Sequence, residues 1–374
     1  MEAEHGWGRA PRRDRGPHGR HDPVGGAEGL RLVTLNRALR GGTSLSPWRR
    51  SAASRSPPRA RLPRVRLLSI LGEMQDSVIV VAGATGSLGG RITRALVERG
   101  ASVRALVRHE TPRDRLEVLQ KLGVTIAGVD LRSPAGSTAA CTGASCVVSA
   151  LQGLQDVIVD AQVALLHAAV KAGVPRFIPS DYSIDFTKLP SGQNRNLDLR
   201  REFHRHLAQA PISATTVFNG AFADMLNGQM PLILFRWRRV LYWGSADQRM
   251  DFTTIDDTAA FTARAALDPS TPRFLRIAGD QLSARELASV TSEVTGERFR
   301  PFRAGGLGTL GMLTKIAHTF APGGDEVFPA WQGMQYMHNM FEGRAKLDPL
   351  DNDRYPGIRW TTAREVIASR RPGG

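Results

Sequence analysis

From residue 77 the chain alternates short runs of Val, Ile and Ala with longer stretches in which apolar residues return every three or four positions. Short β-branched runs between turn signals read as buried strands, and the 3.6-residue period reads as helices with one covered face. Strands are predicted over 77–82, 102–107, 125–129, 145–150, 176–179 and 214–218. Between the first two, Leu88 to Glu98 carries Leu88, Ile92, Leu96 and Val97 on a helical period. A longer apolar helix, Asp156 to Ala172, ends at Gly173, a residue able to take the left-handed stop conformation. Six β/α repeats predict an α/β fold, a doubly wound parallel sheet with helices on both faces. Residues 77–220 supply most of that sheet, and 221–374 are read as a smaller C-terminal lobe. Within it, Trp331, Met334, Met337 and Phe341 follow a helical period, the mark of a core stripe, with some of these side chains candidates for an apolar substrate pocket.

Charge changes the picture at one end only. The 374 residues carry 50 Lys and Arg against 35 Asp and Glu, a net +15. Fifteen Arg, no Lys and six carboxylates fall in residues 1–73, so most of the excess sits there and the rest of the chain is only mildly basic. That segment mixes Arg, Pro, Gly and Ser with no sustained period and is expected to be disordered. Met74, three residues before the first strand, also makes it readable as an upstream extension from a misplaced start. A nucleic-acid arm is disfavoured because only Trp7 and Trp48 could stack on bases. An organelle transit peptide is disfavoured by the recurring Glu2, Glu4, Asp14, Asp22 and Glu28. Two cysteines, Cys141 and Cys146, exclude a disulfide framework and suit a reducing compartment, where they are expected to be small buried residues. No apolar run reaches the ~18–20 residues of a membrane span. The expectation is a soluble cytoplasmic protein without a membrane partner.

The sharpest chemical signal is Val78 to Ala82 followed by Gly83-Ala84-Thr85-Gly86-Ser87-Leu88-Gly89. A strand running through such a turn into a helix builds an anion site. Gly83 permits the tight turn, Gly86 lets backbone approach a pyrophosphate, and Gly89 lets the helix pack on the strand with its N–H groups facing the anion. Cofactor-contacting residues are therefore expected at Gly83, Thr85, Gly86, Ser87, Leu88 and Gly89. The second strand ends at Arg108, a guanidinium where an acidic residue would favour a ribose diol, which points to the 2′-phosphate of NADP(H) ahead of NAD(H). Asp130, after the third strand, is expected near the adenine, and Ser149, Ala150 and Leu151, ending the fourth, near the nicotinamide ribose.

These segments, with 168–181 (Ala-Ala-Val-Lys-Ala-Gly-Val-Pro-Arg-Phe-Ile-Pro-Ser-Asp) and 215–222, resemble the NmrA-like and isoflavone-reductase-like branch of the atypical short-chain dehydrogenase/reductases. The resemblance covers about residues 77–300, with Asp251 to Asp257 and the capping box Ser283-Ala-Arg-Glu286 among its later parts. It implies a Rossmann, NAD(P)-binding domain and a smaller lobe over a cleft for a small-molecule substrate. The common Tyr and Lys four apart on one helix face are missing, since Tyr182 and Lys188 are six apart across a loop. The isoflavone-reductase branch carries a Ser-Glu-Phe-Gly loop and then a Lys. Here the loop reads Ser180-Asp181-Tyr182-Ser183, and counting back from Thr215 puts Arg200, within one residue, at the Lys position. Candidate catalytic residues are Ser180, Asp181, Tyr182 and Arg200, with Tyr182 the proton donor, because a guanidinium with a pKa above ~12 is a poor proton shuttle. Two functions stay open: an NADPH-dependent reductase, and a non-catalytic dinucleotide sensor that acts on a protein partner. His204 and His206, two apart on a helix, read as surface residues rather than a metal pair, and one of Asp256 and Asp257 is expected to cap the helix from Thr258 to Ala266.

Overall fold

The computed structural model describes residues 78–370; the expectation for residues 1–73 lies outside them. The first five β/α units run β1 (Val78–Ala82), α1 (Ser87–Val97), β2 (Ser102–Val107), α2 (Arg113–Lys121), β3 (Thr125–Gly128), α3 (Pro134–Cys141), β4 (Ala144–Ser149), α4 (Gln162–Lys171), β5 (Arg176–Ile178) and α5 (Arg195–Gln209). With β6 (Ser213–Ala214) they form a parallel sheet in the order β3-β2-β1-β4-β5-β6. The order reverses between β1 and β4, which opens a crevice at the carboxyl ends of those two strands.

The apolar runs are continuous because both faces of the sheet are covered. Ile79, Val81, Val103 and Val148 pack on one side against Ile92 and Leu96 of α1 and against Ala259 and Phe261 of α6 (Ile255–Leu267). Val80, Leu106 and Val147 pack on the other against Leu165 and Leu166 of α4 and Phe203 of α5. Each such side chain contributes about 1.5–3 kcal/mol by leaving water.

Two predicted elements are divided. The expected strand 214–218 breaks at Thr215. β6 stays in the main sheet, while β7 (Thr216–Phe218) pairs in parallel with β12 (Phe274–Arg276), Thr216 N–H donating to the Arg273 carbonyl. The helix expected from Asp156 begins instead as a π-helical turn, Gln155–Ala161, before α4. The Gln162 side chain accounts for part of this: its Nε2 donates to the Ile158 carbonyl at 3.0 Å inside the wide turn. Gly173 takes φ +72° after α4, the left-handed stop the sequence predicts.

The later chain adds small sheets around a third core. β8 (Ala221–Phe222), β11 (Met250–Thr253) and β13 (Asp280–Leu282) form one, and β9 (Ile233–Leu234), β10 (Arg239–Trp243) and β14 (Arg300–Gly305) another. α7 (Ala284–Thr295), α8 (Leu307–Phe320), α9 (Ala330–Glu342) and α10 (Ala363–Ala368) complete the described chain. The capping box at Ser283 and Glu286 forms on α7. The cap on α6 is not an aspartate. Thr254 accepts the Asp257 N–H, while the Asp257 carboxylate turns to the Thr361 N–H and Asp256 pairs with Arg91. A threonine one turn earlier wins because the helix starts at Ile255, three residues before the predicted start.

Cys141 and Cys146 are buried, and burial pushes their thiols up to about 11 and about 12, so they stay protonated packing groups. Arg176, which the strand pattern marks only as a strand start, caps a distant helix: its guanidinium donates to the Ala265 and Ala266 carbonyls at the end of α6 and to Thr271 Oγ1. Arg176→Met should keep the stem packing but leave those carbonyls without a donor. We expect a loss of about 2–3 kcal/mol in urea unfolding, and a loss below about 0.5 would show the cap to be dispensable.

Candidate dinucleotide and substrate cleft

The crevice at the β1–β4 switch is the mouth of a single cleft of about 1390 Å³ that runs from the glycine turn to α9. At the turn, Gly83 holds φ +84°, and a Cβ there would lie 2.5 Å from the Ala150 carbonyl oxygen. A Cβ on Gly89 would lie 2.1 Å from the Gly83 carbonyl oxygen, so α1 touches the turn backbone to backbone. Gly86 donates its N–H to Gly83 O at 2.9 Å and is the N-cap of α1, with no side-chain cap bond. The first-turn N–H groups therefore have no side-chain partner where Thr85, Gly86, Ser87 and Leu88 line the cleft, which is the arrangement an anion needs.

Arg108 and Asp130 also line this end. Arg108 is 81% exposed, with Nε 3.5 Å from Glu110 Oε1, and Asp130 accepts the Arg132 N–H at 3.0 Å. His109, Arg115 and Arg132 line the same end and were missed by the sequence reading. They stand at or after the ends of β2 and β3, the signal that singled out Arg108, and the basic character here belongs to several groups rather than one.

Further in, Ala150 and Leu151 line the cleft, whereas Ser149 is fully enclosed with its hydroxyl unpartnered. Ser180 is tied in place from two sides: its Oγ donates to the Leu151 carbonyl at 2.6 Å and its N–H to Gln162 Oε1 at 2.9 Å. Through Gln162 the π-helical turn and the Ser180 loop are one hydrogen-bonded unit.

The structure separates the four candidate catalytic residues. Ser180, Tyr182 and Arg200 line the cleft and Asp181 does not. Asp181 is wholly buried and turned toward α5, where its Oδ2 is 2.5 Å from His204 Nε2 and accepts the Thr216 hydroxyl at 2.7 Å. Arg273 Nη1 donates in turn to Thr216 Oγ1 at 2.7 Å. His204 is therefore a structural partner rather than a surface residue, while His206 is exposed. Tyr182 lines the cleft, but its hydroxyl is buried in the core beside Thr262 and Cys146. Burial pushes that phenol well above its ordinary value, so the hydroxyl is ill placed to pass a proton into the cleft. The loop turns tightly here, the Asp181 N–H donating to the Pro179 carbonyl, and the sequence carries no sign of which of its side chains face the cleft.

Arg200, on α5, donates from Nη1 to the Asn196 carbonyl at 2.9 Å, and its Nε is buried without a partner. Opposite stand α9 and the loops around β8. Met225, Met230, Met334, Met337 and Met340, five of the chain's nine methionines, line this end with Phe222, Phe328 and Tyr336. The expected apolar pocket on the α9 stripe is thus present, but Trp331 is not in it. Its ring lies under the Arg195 guanidinium, 4.6 Å from centroid to Cζ, with Nε1 donating to the Pro322 carbonyl.

The strand order and the glycine junction define a protein of the Rossmann-like α/β class. The sequence profile of the NmrA-like family matches residues 75–342, and the chain belongs to that family. Its relatives include an isoflavone reductase homolog of Zea mays, 30% identical over 60% of this chain and 77% of that protein. Among solved structures, AtPrR2 with NADP+ and (+)pinoresinol matches 78% of this chain and 98% of its own at 22% identity and a TM-score of 0.64. An NADPH-dependent quinone oxidoreductase of Escherichia coli matches 78% and 98% at 20% identity and a TM-score of 0.61. Among the described residues, no helix is long and apolar enough to cross a membrane.

Burial opposes ionisation of Asp181, but the charge and hydrogen bond of His204, the Thr216 hydroxyl and Arg200 hold its carboxyl below the ordinary range. A lowered folded-state pKa gives stability that is full above the unfolded value of about 3.8 and is lost as pH falls through the folded value. Asp181→Asn should be less stable than the wild type at pH 7 and should flatten the acid-side decline in urea unfolding. An unchanged pH dependence would remove this network from the stability balance.

Proposed function

We propose that the chain is an NADPH-dependent reductase of small, largely apolar organic compounds. The observation that carries the reading is the continuity of the cleft, from backbone N–H groups suited to a pyrophosphate to a methionine-lined end suited to an aromatic compound. The residues present fit a dinucleotide. Gly83 and Gly89 have no room for a Cβ, and the start of α1 has no side-chain cap, which supports backbone binding of phosphates by Thr85, Gly86, Ser87 and Leu88. Arg108, with Arg115 and Arg132 near by, supports a 2′-phosphate and hence NADP(H) over NAD(H). Asp130 would border the adenine, and Ala150, Leu151 and Ser180 the nicotinamide ribose. When bound, NADPH supplies a hydride. The protein's part is to hold the acceptor against Met334, Met337 and Tyr336 and to set Arg200 beside the oxygen that gains charge. The relatives named for isoflavone, pinoresinol and quinone reduction support this substrate class.

A dinucleotide sensor that acts on a protein partner is the second reading. It is favoured by the inward turn of Asp181 and of the Tyr182 hydroxyl, which leaves Arg200 and Ser180 as the polar remainder of the predicted catalytic set.

Fluorescence titration of the full chain with NADPH and NADH, followed by oxidation assays with quinones and aldehydes, separates the two. Tight NADPH binding with turnover supports the reductase; tight binding without turnover across the panel supports the sensor. Arg108→Ala should weaken NADPH about tenfold and leave NADH unchanged. Equal loss for both cofactors would remove Arg108 from the 2′-phosphate site.

A further inference from the structure

Reduction of a carbonyl group creates an oxygen that must gain a proton, and the substrate end of the cleft has few groups that can give one. The Arg200 side chain offers charge and N–H donors, but a guanidinium is a poor proton shuttle. The Ser180 hydroxyl already donates to the Leu151 carbonyl, and the Tyr182 hydroxyl is sealed in the core. Asp224 lines the cleft with its Oδ2 accepting the Ile255 N–H.

Tyr336 differs from all of these. It projects from α9 into the same cleft as Arg200, and among the described residues its hydroxyl makes no hydrogen bond. Tyr336 and Arg200 line one cleft from facing helices, and Arg195 is a second cation on the helix that carries Arg200. Burial pushes the phenol up while both guanidinium groups oppose that rise, so the group is protonated at neutral pH and its anion has two positive neighbours.

We propose that Tyr336 is the proton donor of this cleft, and that Arg200 holds the oxygen it serves, on an aromatic carbonyl compound or a quinone. The proposal rests on the reductase reading above. With an aldehyde or ketone the carbonyl carbon gains a hydride from the reduced nicotinamide, forming a C–H bond; with a quinone the hydride adds to a conjugated ring carbon, which then loses a proton to water as the second oxygen gains one and the ring becomes aromatic. The C=O π pair moves onto oxygen, which takes the Tyr336 proton. The carbonyl compound is reduced by two electrons and the nicotinamide is oxidised by two. The phenolate left beside Arg200 and Arg195 regains its proton from water.

The test uses the full chain and two readouts. First, p-nitrophenol, whose oxygen mimics the developing oxyanion, is titrated by absorbance with and without NADPH. Wild type should bind it and favour its phenolate form. Tyr336→Phe, which keeps the ring and its packing, should bind it about tenfold more weakly, the size of one lost hydrogen bond to a charged group. Second, with any quinone or aldehyde that is reduced, Tyr336→Phe should lower kcat about 100-fold or more with little change in KM. Equal p-nitrophenol affinity in wild type and Tyr336→Phe, no binding by wild type, or an unchanged kcat would each overturn the proposal. NADPH affinity is measured in parallel. A wild type that binds no NADPH defeats the reductase reading, while the p-nitrophenol comparison without cofactor still decides the role of Tyr336.

Discussion

The constraint on which the rest depends is the contact of three backbones at Gly83. β1 ends there, α1 crosses above it at Gly89, and the end of β4 passes beside it at Ala150. No side chain fits in either gap, so the positions of the sheet edge, the helix start and the inner wall of the cleft are set by main-chain contact rather than by side chains that could repack. That contact fixes how far the first-turn N–H groups of α1 stand from Leu151, and hence the spacing between the phosphate end and the substrate end. The six-stranded sheet supports the arrangement from below by burying apolar runs on both faces.

Much of this was legible in the chain. The strand runs, the glycine spacing and the Gly173 stop are local signals, each tied to a backbone conformation that few residues allow. What was not legible depends on distant partners. Thr215 breaks a strand because β12 competes for the residues after it, and that competitor lies some 60 residues on. Asp181 and Tyr182 sit where chemistry is expected in this fold, yet their polar ends turn to His204, Thr216 and the core. His204 could be excluded as half of a metal pair from helix periodicity, but its carboxylate partner is on another element. The Thr254 cap was missed by a single turn, the usual uncertainty at a helix end.

The substrate end is built on a different plan from the cofactor end. Where the glycine junction is rigid and polar, the facing wall carries five methionines, unbranched side chains that adjust to ligand shape. The charge there comes from α5, and the unpartnered Nε of Arg200 shows that the protein does not fully satisfy this guanidinium itself. The rigid backbone junction and the adaptable methionine wall are thus divided between the sheet and the late helices.

The start of α5 has a wider reach than its length suggests. Arg195 donates to the Glu326 and Val327 carbonyls and covers Trp331, and Asn196 also holds Val327. These bonds fasten the strand of chain that brings Phe328 and Pro329 to the cleft. One helix therefore carries the inner cation, Arg200, and anchors the outer rim. A tilt of α5 would change the charge position and the width of the entrance together, so the two could not be tuned independently by loop substitutions alone.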